Sequence, residues 1–240
     1  NVTSFDSALQ TWVGQDDFAS GFVLGGELLA QLAGAGVSEG QIAVGSCNPG
    51  ETVLADREEG LRKAFAGTTF ELLAAQDVHL PVAENLDAWK QVVAAHPDIV
   101  AAVGLCYIDV PNLAQLKQQT NATWLIAGYN LDELTLDAIA SGSAQVVAGQ
   151  QEYLQGYLPV AILAQHLING TPLVTGWLEV PTEVVTAANV ESYLARETDD
   201  QVQHDAYQAY ITEHFADLQA AARPYDDLRT LGEAVATPAP

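Results

Sequence analysis

Apolar residues gather into five short runs, at 41–45, 69–74, 99–105, 124–127 and 145–148. The third, within IVAAVGLCYI, is hydrophobic throughout rather than alternating, the pattern of a strand buried on both faces of a parallel sheet. Between the runs, apolar positions recur at helical spacing and predict helices over about 51–66, 83–95, 111–120 and 132–141. Strands about 20 to 30 residues apart with helices between them are βα units. The pattern therefore predicts an α/β fold, a doubly wound parallel sheet of five strands over 15–148.

Punctuation supports these elements. Asp16-Asp17 opens the helical run FASGFVLGGELLAQLAGAG, and Gly34 and Gly36 end it. Pro49-Gly50 marks a turn, and His96-Pro97-Asp98 closes a helix before the third strand. After the fifth strand the pattern changes. Residues 152–168 are apolar almost all round, with Leu154, Tyr157, Leu158, Ile162, Leu163 and Leu167, so this helix is expected to be covered on more than one side. Pro159 would kink it or lie near its first turn, and Asn169-Gly170 stops it. A further strand is expected over 178–185 and an amphipathic helix over 200–222, with 236–240 a disordered tail.

The chain has 240 residues, with 31 acids against 8 bases and a formal charge of −23. Such a surface repels nucleic acid and anionic membranes. No apolar run reaches the roughly 18 residues of a membrane span. The chain starts in strand-like sequence without a signal peptide and contains no methionine, which reads as a mature or truncated product. Its two cysteines, Cys47 and Cys106, each follow an apolar run and so belong at strand ends. Two independent buried thiols are the default. A disulfide between neighbouring strand ends is the alternative in an oxidising compartment.

Candidate chemistry concentrates just past the strands. Asp6 follows the apolar stretch VTSF, and Arg57 lies in the helix after the first strand of the sheet. Asp109 follows the third strand, Asn130 the fourth and Gln150 the fifth. In an open parallel sheet that edge is where ligands bind. Two carboxylates, a guanidinium and two amides suit the donors and acceptors of a small polyhydroxylated molecule. The five histidines (79, 96, 166, 204 and 214) show no metal-ligand spacing, and no glycine-rich phosphate loop is present, so neither metal nor cofactor is expected. An α/β enzyme using Cys47, on the strand-to-helix turn GSCNPG, or Cys106 is the weaker alternative.

In order along the chain, NVTSFDS, GQDDFASG, ADREEGLRKAF, AAHPDIVAAVG, IAGYNLDELTLDAIASG, VVAGQQEYLQGY and EVPTEVVTAANV resemble the periplasmic sugar-binding proteins of the ribose/galactose type, the type I solute-binding proteins of ABC importers. The resemblance runs from about 1 to 192. It implies that Asp6, Arg57, Asp109, Asn130 and Gln150 are sugar-contacting positions, with Asn130 standing where the family usually has Asp. It implies a non-enzymatic, periplasmic or extracellular protein that hands a sugar or polyol to a membrane permease, or presents it to a chemoreceptor as a sensory domain. It also implies two lobes, of which this chain would lack most of the N-terminal one. Residues 1–14 would end that lobe and cross over, 15–148 form the C-terminal ligand-binding lobe, 149–175 return a helix to the N-terminal lobe, and 176–235 rejoin the C-terminal lobe. Helix 152–168 would then need a partner, self-association being one way to supply it.

Overall fold

The computed structural model describes residues 10–230. In chain order the elements are β1 (Thr11–Gly14), α1 (Asp17–Gly34), β2 (Gly40–Ser46), α2 (Thr52–Ala64), β3 (Phe70–Leu72), β4 (Gln76–Asp77), α3 (Val82–Ala95), β5 (Ile99–Gly104) and α4 (Asp109–Thr120). They continue with β6 (Leu125–Tyr129), α5 (Glu133–Ala140), β7 (Val146–Gly149), α6 (Glu152–Asn169), β8 (Gly176–Glu179), β9 (Glu183–Thr186), α7 (Val190–Thr198), α8 (Asp200–His214) and α9 (Leu218–Ala221).

The expected α/β layer is present. Its sheet runs in the order β3-β2-β5-β6-β7-β9, with β4 also pairing to β2. All pairs are parallel except β7–β9. The sheet has seven strands rather than five, because the two-residue β4 and the returning β9 add to it. The expected strand at 178–185 divides into β8 and β9 around Pro181, which has no N–H to give a ladder. Leu24, Leu28 and Leu32 of α1, with Val53, Leu54 and Leu61 of α2, cover one face. Residues of α3, α4, α5 and α7 cover the other, Trp89, Leu113, Leu136 and Val190 among them. Burial on both faces explains why these strands lack alternation.

A second, smaller unit is built on the parallel pair β1–β8. Leu154, Leu158 and Ile162 of α6 pack there with Leu178, Val180, Tyr207 of α8 and Phe215. Helix α6 is therefore covered on one face within the chain itself. Its opposite face leaves Val160, Leu163, Leu167 and Ile168 exposed. The segment expected to rejoin the large sheet is split: β9 and α7 pack on the large unit, whereas β8 and α8 belong to the small one. The predicted helix 200–222 breaks after His214, and Asp217 caps α9 as a separate turn. Beyond it, Arg223 pairs with Trp177, and the Arg229 side chain reaches Asp56 and Glu59 on α2, tying the two units together.

Candidate functional site

The site begins with how closely α1 and α2 approach. A Cβ on Gly21 would lie 2.1 Å from the Arg57 carbonyl oxygen, and one on Gly60 2.0 Å from that of Phe18. Gly25 faces Ala64 one turn further on. Small residues at i, i+4 on both helices thus allow backbone contact, as ridges of larger residues would not. The contact sets the side chain of Arg57 beneath the C-terminal edge of the sheet. Its Nε donates to Asp17 Oδ1 at 2.9 Å and its Nη1 to the Leu105 carbonyl at 2.9 Å, while Nη2 donates to Gln150 Oε1. The guanidinium lies 4.0 Å above the ring of Tyr129, the last residue of β6, a stacked cation–π arrangement.

Four elements thereby converge on one fork. Asp17 comes from the first turn of α1, where Asp16 caps the helix through the Ala19 N–H. Leu105 follows β5, Tyr129 ends β6, and Gln150 follows β7. Tyr129 is wholly buried; burial pushes its phenol up to about 12, so it stays protonated and shares a hydrogen bond with Ser20 Oγ at 3.0 Å. With three donors engaged and its ring-stacked plane fixed, the guanidinium of the buried Arg57 is held rigid just beneath the edge of the sheet.

Asn130 joins this edge through its backbone N–H, which donates to the Ala148 carbonyl at 3.0 Å. Its φ of 93° lies in the left-handed region that asparagine tolerates better than most residues. Its Nδ2 donates to Asp132 Oδ2 at 2.9 Å, and Asp132 in turn caps α5. A groove of about 1060 Å³ between α4 and α5 opens beside it, floored by Ile108, Pro111 and Ala114.

The structure brings Arg57 and Gln150 into direct contact, with Asn130 on the neighbouring strand end. Asp109 is placed differently. It is fully buried at the start of α4, where Oδ1 accepts from Asn85 Nδ2 (2.7 Å) and Trp89 Nε1 (2.9 Å) and Oδ2 from the Cys106 N–H (2.9 Å). Burial raises its pKa to about 6 despite those three donors. In this arrangement it braces the turn after β5 and has no surface to offer a ligand. Asp6 lies outside the described residues. The cysteines are joined: Cys47 and Cys106, with Cα atoms 6.1 Å apart, form a disulfide across the ends of β2 and β5. The default of two separate thiols is thus corrected, and neither sulfur is available as a thiolate nucleophile. The parallel pairing of β2 with β5 is the cause, because it sets the residues after both strands side by side.

Four contributors were not among the expected site residues. Asp17 and Tyr129 complete the setting of Arg57. Gln15 and Gln151 are buried at the connections beside Gln150, and each keeps a side-chain oxygen without a hydrogen-bond partner. Paired small residues on α1 and α2 were the available signal for Asp17, since they bring Arg57 against the start of α1.

Comparison with known proteins agrees with this fold. The profile of the family described as "Periplasmic binding protein domain" matches residues 2–171. The xylose/arabinose-binding protein of Sulfolobus acidocaldarius is 26% identical over 194 residues, which are 76% of this chain and 46% of that protein. A periplasmic solute-binding protein of an ABC transporter from Actinobacillus succinogenes, solved with D-allose, aligns with a TM-score of 0.69 at 20% identity, over 76% of this chain and 63% of its own. A solute-binding protein from Burkholderia graminis in complex with D-arabinose gives 0.68 at 19%, over 77% and 64%. A chain of the XylFII–LytSN complex gives 0.67 at 18%, over 76% and 64%. The chain spans about half the length of the curated relative and under two thirds of these solved chains.

Proposed function

We propose that the chain, which belongs to the periplasmic binding protein domain family, supplies one wall of a cleft that captures a small sugar or polyol outside the cytoplasm. The observation that carries this reading is the Arg57 fork, fixed by Asp17, Leu105 and Gln150 and stacked on Tyr129 at the C-terminal edge of a parallel sheet. Gln150 brings an amide able to donate to a hydroxyl while its oxygen faces Arg57, and Asn130 offers both a donor and an acceptor. The large sheet unit acts as one lobe, and β1, β8 and α6 as part of the opposing one. The names of the similar proteins support pentoses and hexoses as the ligand class. No covalent step is assigned. The Cys47–Cys106 disulfide suits an oxidising compartment. The same likeness supports delivery to an ABC permease as the use of the captured ligand.

Calorimetry against D-xylose, D-arabinose and D-allose tests the reading. Binding by the wild type and its loss in Arg57→Ala and Asn130→Ala are the expected results. Undiminished binding by both variants would refute the site. A second reading, presentation of the ligand to a membrane sensor, is favoured by the similar chain found in the XylFII–LytSN complex.

A further inference from the structure

Three of the passages between the large sheet and the small unit meet at one side chain. Gln15 follows β1, and it is 1% exposed. Its Nε2 donates to the Gly149 carbonyl at 3.1 Å, on the passage from β7 to α6, and to Thr182 Oγ1 at 2.8 Å, on the passage from β8 to β9. The residue before it is tied to the same region, because the Gly14 carbonyl accepts from the Val180 N–H at 3.0 Å and from Trp177 Nε1 at 2.8 Å. Both amide donors of Gln15 are thus committed to holding two other passages.

Gly149 is the residue before Gln150, so the bond from Gln15 fixes the start of the turn that carries Gln150 over Arg57. The turn itself is unusual: Gln151 adopts a left-handed conformation (φ 56°) and is 3% exposed, and the Gln155 side chain donates to the Gln150 carbonyl at 2.6 Å. Gln15 Oε1 and Gln151 Oε1 are buried with no donor. Buried carbonyl oxygens are rarely left so, and when they are, the arrangement has capacity for a further donor.

We propose that Gln15 is the positioning residue of the rim: it sets the Gly149–Gln151 turn, and with it Gln150, according to the placement of the small unit. The two open oxygens are where hydroxyl or water donors enter as that placement changes. Ligand selectivity would then depend on a residue that lies at the crossing of three connections rather than on the rim. This rests on the sugar-binding reading above for its ligand, but not for its structural content.

The test compares the wild type with Gln15→Met, which keeps length and loses both donors, and with Thr182→Val, which removes one acceptor at the far end. Affinity for D-xylose, D-arabinose and D-allose is measured by calorimetry, unfolding by denaturant, and amide hydrogen exchange residue by residue. Gln15→Met is expected to weaken binding of whichever sugar the wild type takes by about tenfold, through loss of preorganisation. Thr182→Val should act in the same direction and more weakly, with the double variant no worse than Gln15→Met because the two share one interaction. Amides at 149–151 and 182–183 should exchange faster together. Lower stability with unchanged affinity and unchanged exchange at those amides overturns the proposal. If the wild type binds none of the three sugars, the functional reading fails while exchange still decides this one: joint acceleration supports it, and its absence overturns it.

Discussion

The carbonyl oxygen of Arg57 occupies the space where a side chain on Gly21 would begin, 2.1 Å from an added Cβ. Helix α1 therefore touches the backbone of α2 at the residue whose side chain organises the rim. Gly21→Ala is expected to force the helices apart, at a cost of about 1–3 kcal/mol for an overpacked contact. The same shift would draw Arg57 from Asp17 and Gln150, so sugar affinity should fall with stability. Denaturant unfolding together with calorimetry checks this. A variant with wild-type stability would show that the helices separate freely.

Arg57 and Asp17 form an ion pair with side chains only 4% and 0% exposed. Arg57→Met takes the ion-pair partner from the buried Asp17 carboxylate and is expected to cost about 3–5 kcal/mol. Adding Asp17→Asn removes that buried charge as well, so the double variant should be less destabilised than the sum of the single ones. Urea unfolding of all four proteins gives the coupling. Additive losses would mean that the pair does not act as a unit.

How far the sequence could be read depends on the range of the forces involved. Strands β2, β5, β6 and β7 show as continuous apolar runs because both of their faces are buried, whereas β3 lies at the sheet edge with Glu71 exposed. β1 is four residues long with three of them only half-buried, and β4 has two, too short for either to carry a pattern. Arg57, Asn130 and Gln150 were legible because a parallel sheet puts its strand ends on one edge. Asp109 was equally legible as a strand-end residue, but its burial was not. That depends on Asn85 and Trp89 of α3, more than 15 residues earlier. The role of the C-terminal segment was likewise hidden, since Arg229 meets Asp56 only once the chain has returned across both units.

Asp109 makes stability depend on pH with a definite sign. Burial raises its pKa from 3.8 to about 6. A carboxyl group whose pKa is higher in the folded state binds its proton more tightly there. Its contribution to stability is then full below about pH 4 and is lost as pH rises to about 6, a change of about 3 kcal/mol. Asp109→Asn should abolish this slope, so the difference in stability between variant and wild type should change by that amount between pH 4 and 6. It should also weaken the turn after β5, because an amide nitrogen facing the Cys106 N–H puts two donors together. Unfolding free energies measured across that range decide the matter. Parallel curves for the two proteins would place the titration elsewhere.

The disulfide acts on the same turn. Cys106 is held by its bond to Cys47, 59 residues earlier, and the preceding residue, Leu105, accepts from Arg57 Nη1. Closing a loop of that size restricts the unfolded chain, and its loss is expected to cost about 3–4 kcal/mol. The effect should not stop at stability. With the bridge gone, the Leu105 carbonyl is fixed only by the sheet and by the hold of Asp109 on the Cys106 N–H, so the Arg57 fork loses part of its seat. Cys47→Ser/Cys106→Ser should therefore melt at a lower temperature and bind sugar more weakly, with reductant lowering the wild type to the same level. A double variant that melts lower but binds as the wild type does would separate the brace from the rim and confine the disulfide to stability. If neither property changed, the bridge would be shown not to constrain this edge of the sheet.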